Sequence, residues 1–184
     1  MTLKHSWLAG GLAFLAFGAI AGDFTLGSPA IEPGARLTSA QVFDGFGCTG
    51  KNVSPALQWH GAPEGTRSYA LTVYDPDAPT GSGWWHWVVL NIPATVQELA
   101  EGAGASSGAG MPEGALQVRT DFGQPGFGGA CPPIGDKPHR YIFTIHALKV
   151  PKIDLPPNAT AALAGYMIHA NELGQAGFTA YYSR

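Results

Sequence analysis

Two proline-rich segments, far apart in the chain, each lead to a histidine that opens an apolar run. The first, Asp75–Pro79 (DPDAP), is followed after a short connector by WWHW, which contains His86. The second, residues 131–141 (CPPIGDKPHRY), contains His139. Proline fixes φ and has no N–H to donate, so these segments are predicted to be rigid loops rather than helix or strand interior. Rigid loops at strand ends can hold carboxylates and imidazoles in fixed places and form a small polar pocket.

These side chains have the chemistry of an anion site. Asp75 and Asp77 have a spacing that puts both carboxylates on one side of an extended chain, although the turn at Pro76 can separate them. If the strands that follow His86 and His139 are neighbours, both imidazoles face one hollow. A carboxylate beside an imidazole favours the protonated ring, whose two N–H donors suit a small oxyanion such as phosphate or carboxylate. The expected apolar walls are Pro79, Trp84, Pro132 and Pro133.

Structural and catalytic alternatives remain open for the same residues. An Asp-Pro-Asp sequence commonly forms a turn, and a histidine or tryptophan near a strand commonly belongs to the core. Ser82 lies in a glycine-rich connector and lacks the strand–turn–helix setting of a nucleophile elbow. Cys131 could act with His139 only as a free thiolate. A metal site at Asp77, His86 and His139 lacks HxxxH, HxH or CxxC spacing, and no cofactor is expected.

The elements that must position these loops are predicted to be mainly strands. Many short apolar runs separated by glycine and proline are typical of a β-sandwich. Residues 69–74 alternate and should end at Asp75, whereas the apolar run 87–92 predicts a central strand that is covered on both faces. A third strand is predicted over 141–148, with weaker strands over 24–26, 57–59, 116–119 and 178–182.

One helix is predicted in the C-terminal part of the chain. Asn158 or Thr160 can cap it, and Gly174 is expected to end it. The apolar residues that recur at helical spacing are Ala162, Leu163, Tyr166, Met167 and Ala170. By contrast, residues 101–114 have almost nothing to bury and are expected to form a mobile surface loop.

Residues 1–21 have the features of a cleaved export signal. Lys4 and His5 precede an apolar stretch from Trp7 to Ile20, and residues 19–21 have the small-x-small form of a cleavage site. The apolar stretch is short for a bilayer-spanning helix, so a cleaved signal is preferred to an uncleaved anchor. We therefore expect residues 22–184 to form one exported domain that does not insert stably into a membrane.

Export also affects how the net charge and the two cysteines are interpreted. Without the signal, nine basic residues face thirteen acidic ones, a balance of about −4 without a basic stripe, so nucleic acid is not an expected partner. In an oxidising compartment Cys48 and Cys131 are predicted to form a disulfide, and the alternative is two buried thiols. The disulfide would close a long loop and brace the segment at Pro132 and Pro133.

The two segments, in this order, resemble the signature segments of the phosphatidylethanolamine-binding protein (PEBP) family, also called Raf-kinase-inhibitor-like. They are most similar to its bacterial YbhB/YbcL branch, and the exported YbcL-like members in particular, from about Phe24 onward. The resemblance implies a β-sandwich of a large and a smaller sheet with a C-terminal helical segment. It also implies a small pocket for phosphate-like or carboxylate groups, including phosphoethanolamine heads. The pocket positions that it implies are Asp75, Asp77, Trp84, His86, Pro132, Pro133, His139 and Tyr141.

The chain departs from the animal members of that family in three places. The connector between Pro79 and Trp84 is shorter, Cys131 stands where the animal proteins have glycine, and Trp-Trp-His at residues 84–86 replaces Trp-His-His. No C-terminal aromatic wall can be aligned, so the far side of the implied pocket is unassigned.

The leading hypothesis is an exported, non-catalytic binding protein for a small anion or a phospholipid head group. His86 and His139 would be the anion donors, Asp75 would orient or charge one of them, and Asp77 would stabilise the loop or face a cationic group. A second hypothesis is an inhibitor or interaction protein that acts on another protein through its surface loops. A hydrolase or metal-dependent enzyme has less support. A monomer and a homodimer both fit the sequence.

Overall fold

The computed structural model describes residues 23–184, so the predicted signal at residues 1–21 lies outside the described residues. Most of the secondary-structure elements of these residues are strands. The elements are β1 Thr25–Gly27, β2 Asp44–Gly45, β3 Cys48–Thr49, β4 Leu57–His60, β5 Ser68–Asp75, β6 Trp84–Pro93, β7 Glu98–Leu99, β8 Leu116–Gln117, β9 His139–Leu148, α1 Ala161–Asn171 and β10 Glu172–Tyr182. The three long predicted strands are confirmed as β5, β6 and β9, each slightly longer than its apolar run.

The strands form a large and a smaller antiparallel sheet, as the resemblance implied. The large sheet has the order β10-β9-β5-β6-β8, the smaller one has the order β1-β4-β7, and β2 and β3 form a separate hairpin. The helical segment lies between β9 and β10, and β10 then pairs with β9 along almost its whole length. The middle of the large sheet is therefore β5, while β6 lies next to the short strand β8.

Both faces of the large sheet are covered, because β5 and β6 carry apolar side chains on each side. One core lies between the two sheets, where Trp59 of β4 packs with Leu71, Trp87 and Phe143 of the large sheet. A second core lies on the opposite face, where residues such as Val88 pack against α1. The prediction that residues 87–92 are covered on both faces is confirmed.

Helix α1 begins as predicted but ends earlier. The hydroxyl of Thr160 accepts the N–H of Leu163, which confirms Thr160 as the cap. The prediction that Gly174 ends the helix is wrong, because Glu172 is already extended and begins β10, which contains Gly174. Within residues 23–184, no helix has the length and apolar character needed to cross a membrane.

The helix also buries a different face from the one its larger apolar residues suggested. Its buried residues are Ala161, Ala164, Gly165 and Ile168, whereas Leu163 and Tyr166 are exposed. Small residues allow the helix to approach the sheet closely: a Cβ on Gly165 would lie 3.4 Å from the ring of Trp85. Close packing of small side chains therefore overrides the spacing of the large ones.

The glycine-rich segment 101–114 is only partly a surface loop. Ala103 is buried in the core between the sheets. The N–H of Gly104 donates to the Ser54 hydroxyl at 2.9 Å, and its carbonyl accepts the N–H of Phe127 at 2.7 Å. The expectation that this segment has almost nothing to bury is wrong, because glycine and alanine let the backbone itself pack where a larger residue would collide.

Candidate ligand-binding cavity

A cavity of about 190 Å³ lies where β5 ends and where β6 and β9 begin. Its lining combines polar side chains from these strands with apolar residues from the proline-rich loops. The lining residues are Phe46, Asp75, Ala78, Pro79, Thr80, Trp84, His86, Phe122, Cys131, Pro132, Pro133, His139 and Tyr141. Seven of the eight positions that the resemblance implied are in this set; the eighth, Asp77, is not.

The sheet order explains how the two histidines reach one cavity. The strands that carry His86 and His139 are not neighbours, so the condition under which the sequence analysis placed both rings at one hollow is not met. Instead, β5 lies between them: Tyr74 pairs with Trp85 on one side and with Ile142 on the other. Because β6 and β9 both run antiparallel to β5, the start of β6 and the start of β9 flank Asp75 at the end of β5.

Asp75 and His139 form a buried pair. Oδ2 of Asp75 lies 2.8 Å from Nδ1 of His139, and its Oδ1 accepts the backbone N–H of Asp77 at 2.8 Å. On the other side of the ring, Nε2 of His139 lies 3.2 Å from Oδ2 of Asp136, which is partly exposed. Burial opposes charge on His139, but the hydrogen bonds and charges of Asp75 and Asp136 outweigh it and raise its pKa above 6.5. Both ring N–H groups of the protonated His139 are thus already bonded to carboxylates.

Asp77 lies outside the cavity. Its carboxylate binds the side chain of Arg140 at 2.7 and 2.9 Å, and it also accepts the Arg140 backbone N–H at 2.9 Å. The hydrogen bond from Arg140 is the main cause that lowers the pKa of Asp77 to about 2. The proline between the two aspartates does separate them: Asp75 points inward to His139, and Asp77 fixes the start of β9 from outside.

His86 is also buried, but its pKa is shifted in the opposite direction from that of His139. Its Nδ1 lies 2.7 Å from the carbonyl oxygen of Gly128, and because a carbonyl can only accept, Nδ1 carries a proton. Burial lowers the pKa of His86 below 6.5, so the ring is neutral near pH 7. Nε2 is then a lone-pair acceptor, with no hydrogen bond to the described residues, on a ring that lines the cavity.

Two buried donors of the cavity wall are unpaired. Neither Nε1 of Trp84 nor the hydroxyl of Tyr141 has a hydrogen-bond partner within the described residues. Burial is the main cause that raises the pKa of the Tyr141 phenol, which therefore stays a neutral donor. The backbone N–H of Cys131 also bonds to no group of residues 23–184. Unpaired buried polar groups are unfavourable, and a bound ligand would satisfy them.

Two phenylalanines that the sequence analysis did not assign to the pocket form an aromatic wall of the cavity. The ring of Phe122 packs edge-on against Trp84 and His86, with centroids 5.4 Å apart in both pairs. Phe46 stacks on Phe122 at 6.0 Å and lies at the mouth. Both phenylalanines sit in glycine-rich segments that show no strand or helix pattern, and no signal in the sequence alone identifies them as wall residues.

The predicted disulfide is present and forms part of this wall. Cys48 and Cys131 are bonded, with their Cα atoms 6.0 Å apart, and Cys131 lines the cavity. The bond joins the β2–β3 hairpin to the segment that leads into Pro132. Within residues 23–184, no group of three or more histidine, cysteine or acidic side chains is arranged to hold a metal ion.

Comparisons with known proteins agree with this architecture. A family model described as "Phosphatidylethanolamine-binding protein" matches residues 27–183. Protein YbcL of Escherichia coli is 57% identical over 171 residues, which cover 93% of each chain. Protein YbhB of the same organism is 50% identical over 153 residues, covering 83% of this chain and 96% of YbhB. The crystal structure of E. coli YbcL superposes with a TM-score of 0.86 at 56% identity, covering 88% of this chain and 98% of that one.

Proposed function

Because this chain belongs to the phosphatidylethanolamine-binding protein family, we propose that it is a ligand-binding protein for a small anionic group, without catalytic activity. The ligand chemistry is a phosphate-type or carboxylate head, including phosphoethanolamine. The ligand would lie against Trp84, His86 and Tyr141, with the apolar walls formed by proline and phenylalanine.

The observation that carries this proposal is the set of unpaired donors at the cavity. The hydroxyl of Tyr141 and Nε1 of Trp84 are fixed donors without partners, and the Cys131 N–H adds a third. Donors on residues that line a small space with stiff apolar walls favour an oxyanion over an apolar ligand. The cavity is not strongly positive, because the charge of His139 is already balanced by Asp75 and Asp136. Affinity would therefore depend on directed hydrogen bonds more than on net charge.

The proposal that the protein only binds is supported by the absence of an activated nucleophile among the described lining residues. The Thr80 hydroxyl donates to the Gly83 carbonyl and not to an imidazole. Cys131 is in a disulfide, so it offers no thiolate. Both nitrogens of His139 are bonded to carboxylates, and Nε2 of the neutral His86 has no hydrogen bond to a hydroxyl or thiol of the described residues, so no base is paired with a nucleophile.

We also propose that the mature protein is exported after removal of residues 1–21. Support comes from the signal-like sequence and from a disulfide that closes a separation of 83 residues. Structural disulfides are typical of oxidising compartments and uncommon in the cytosol.

Replacement of Tyr141 by phenylalanine tests the proposed binding role. It removes one donor and keeps the ring, so the affinity for glycerophosphoethanolamine should fall about tenfold or more, because a hydrogen bond to a charged ligand contributes about 1.5–3 kcal/mol. Isothermal titration calorimetry at pH 6 measures the change. The matched control is Tyr166→Phe on α1, because Tyr166 is exposed and does not line the cavity.

Three results would contradict the proposal. The first is that the wild-type protein binds neither phosphate, phosphoethanolamine nor small carboxylates, and the second is that Tyr141→Phe binds them as tightly as Tyr166→Phe does. The third is steady turnover of a phosphoester or carboxylester at a rate that depends on His86, which would make the protein an enzyme.

A further inference from the structure

Two large apolar side chains lie in water at the mouth of the cavity. Phe46 lines the cavity and is 68% exposed, and Ile134 directly follows the lining residue Pro133 and is 80% exposed. Single exposed apolar residues are common and need no explanation, so the case for these two rests on their position beside one cavity and on the turns that hold them. We call Phe46 and Ile134 the apolar rim.

The backbone holds Phe46 outward at a position that phenylalanine rarely occupies. Gly45 pairs with Cys48, so Phe46 and Gly47 form a two-residue hairpin loop between β2 and β3. Their φ angles are +52° and +78°, as a type I′ turn requires. Such turns strongly prefer asparagine, aspartate or glycine at both central positions. A phenylalanine there is conformationally unfavourable and exposed, which points to a function for the ring.

Ile134 lies at the tip of a second tight turn. The N–H of Asp136 approaches the carbonyl of Pro133 at 3.4 Å, and Gly135 between them has a φ of +88°. This positive φ at the third residue is the requirement of a type II turn, in which the second residue, Ile134, points away from the chain. Folding therefore gains little burial from this isoleucine.

The two turns are fastened to each other. The guanidinium of Arg184 donates to the carbonyls of Phe46, Gly47 and Pro132, and so bridges both loops. The backbone carbonyl of Arg184 accepts the N–H of Gly135 at 3.2 Å. The disulfide joins the same two segments covalently. The apolar rim is thus preorganised, so a partner that binds to it does not have to order it.

We propose that the apolar rim inserts into the surface of a phospholipid bilayer while the cavity holds the head group of a lipid in that bilayer. This inference rests on the proposed function. A cavity of about 190 Å³ accommodates a head group but not the acyl chains, so the rest of the lipid must stay beside Phe46 and Ile134. A free, soluble ligand of the same chemistry would leave both side chains in water.

The charges near the rim favour a bilayer of zwitterionic lipids. The charged residues on or beside the two turns are balanced, two acidic and two basic: Asp44, Asp136, Lys137 and Arg184. Electrostatic attraction to anionic lipid needs a basic cluster, and this rim has none within the described residues. Binding should therefore depend on burial of the apolar side chains and change little with salt concentration.

The decisive variant is Ile134→Ser, because Ile134 is on the rim but does not line the cavity. We expect its partition onto vesicles of phosphatidylethanolamine and phosphatidylcholine to fall about tenfold or more in a flotation assay, since a buried isoleucine contributes at least that much. Its affinity for soluble glycerophosphoethanolamine should stay within about twofold of wild type. Ile134→Leu should restore vesicle binding, and Phe46→Ser should lower it.

The matched control is Tyr166→Ser, which removes an equally exposed ring, 70% in water, from α1 on another part of the surface. Its vesicle binding should equal that of wild type. If the wild-type protein binds soluble glycerophosphoethanolamine but not the vesicles, or if Ile134→Ser floats as well as Tyr166→Ser, the inference is overturned and the rim is left for a protein partner. If neither soluble ligand nor vesicles bind, the proposed function itself fails.

Discussion

At the scale of single residues, two histidines in equivalent sequence settings have pKa values that are shifted in opposite directions. His139 is surrounded by the carboxylates of Asp75 and Asp136, which raise its pKa, whereas burial beside a carbonyl lowers that of His86. Both residues precede apolar runs in the sequence, and the sequence analysis predicted both to be anion donors. Only the partners that reach each ring from distant segments decide which one is charged.

This difference predicts how binding should depend on pH. Neutral His86 can offer a phosphodiester only a lone pair at Nε2, and it must gain a proton before it can donate a hydrogen bond there. The bound anion would stabilise that proton and raise the pKa of His86. Binding then takes up a proton, so affinity for glycerophosphoethanolamine should increase as pH falls from 8 to 5. Calorimetry across this range measures the trend, because the diester keeps a constant charge.

Histidine NMR signals provide the accompanying check. In the free protein, His86 should titrate below 6.5 and His139 above it, and saturating ligand should move the His86 midpoint upward. His86→Gln should remove most of the pH dependence of affinity, whereas His60→Gln, an exposed residue at the end of β4, should leave it unchanged. An affinity that is flat or decreases toward acid would contradict this role of His86.

At the scale of elements, the cavity depends on segments that have little regular structure of their own. The β2–β3 hairpin has two residues in each strand, and the segment from Gly128 to Pro138 contains no strand. The Cys48–Cys131 bond and Arg184 hold these segments together at the cavity wall. Their positions therefore depend on a few cross-links and not on an extensive ladder of backbone hydrogen bonds.

Removal of the disulfide should lower both stability and affinity. For a separation of 83 residues, the chain-entropy model gives a loss of about 4–5 kcal/mol in the free energy of unfolding for Cys48→Ala/Cys131→Ala. Urea denaturation measures this loss. Affinity for the anionic ligand should also fall, because the Cys131 N–H and Phe46 lose their fixed positions. A stability loss below about 1 kcal/mol with unchanged affinity would show that the remaining contacts position the wall.

The strands could be predicted from sequence better than the segments between them. Period-two alternation and continuous apolar runs identify β5, β6 and β9, because these strands are long and their burial dominates. The spacing of large apolar residues predicted the wrong buried face for α1, because Ala164 and Gly165 pack against the sheet more closely than Leu163 could. It also missed Phe46 and Phe122, whose positions depend on turn geometry and long-range cross-links that leave no periodic signal.

At the scale of the whole molecule, burial of polar groups links stability to pH at a second place in the large sheet, among residues that do not line the cavity. In the large sheet, Nε2 of His146 lies 3.1 Å from the Thr72 hydroxyl, and its Nδ1 lies 2.6 Å from Oε2 of Glu172. The ring of His169 is 5.9 Å away. Burial is the main cause that lowers the pKa of His146, while Glu172 opposes this shift and His169 adds to it. The folded protein therefore contains two buried histidines, His86 and His146, that resist protonation.

The protein should consequently lose stability as the medium becomes acidic. For His86 and His146 the unfolded chain binds more protons than the folded one at pH values between 6.5, the ordinary pKa, and the lower folded-state pKa. The free energy of unfolding therefore decreases as the pH is lowered through that window. Each group contributes a slope of up to about 1.4 kcal/mol per pH unit. The pKa of His139 has the opposite shift. Its contribution to stability is fully present below pH 6.5 and is lost as pH rises through its raised pKa, so it does not offset the loss of stability in acid.

Urea denaturation at several pH values tests the role of His146. Below pH 6.5, His146→Gln should reduce the slope of the free energy of unfolding against pH by the equivalent of up to one proton, whereas His60→Gln, at an exposed site, should leave the wild-type slope. Equal slopes in the two variants would mean that His146 takes up its proton in the folded protein as readily as in the unfolded chain, and that its burial does not control acid stability.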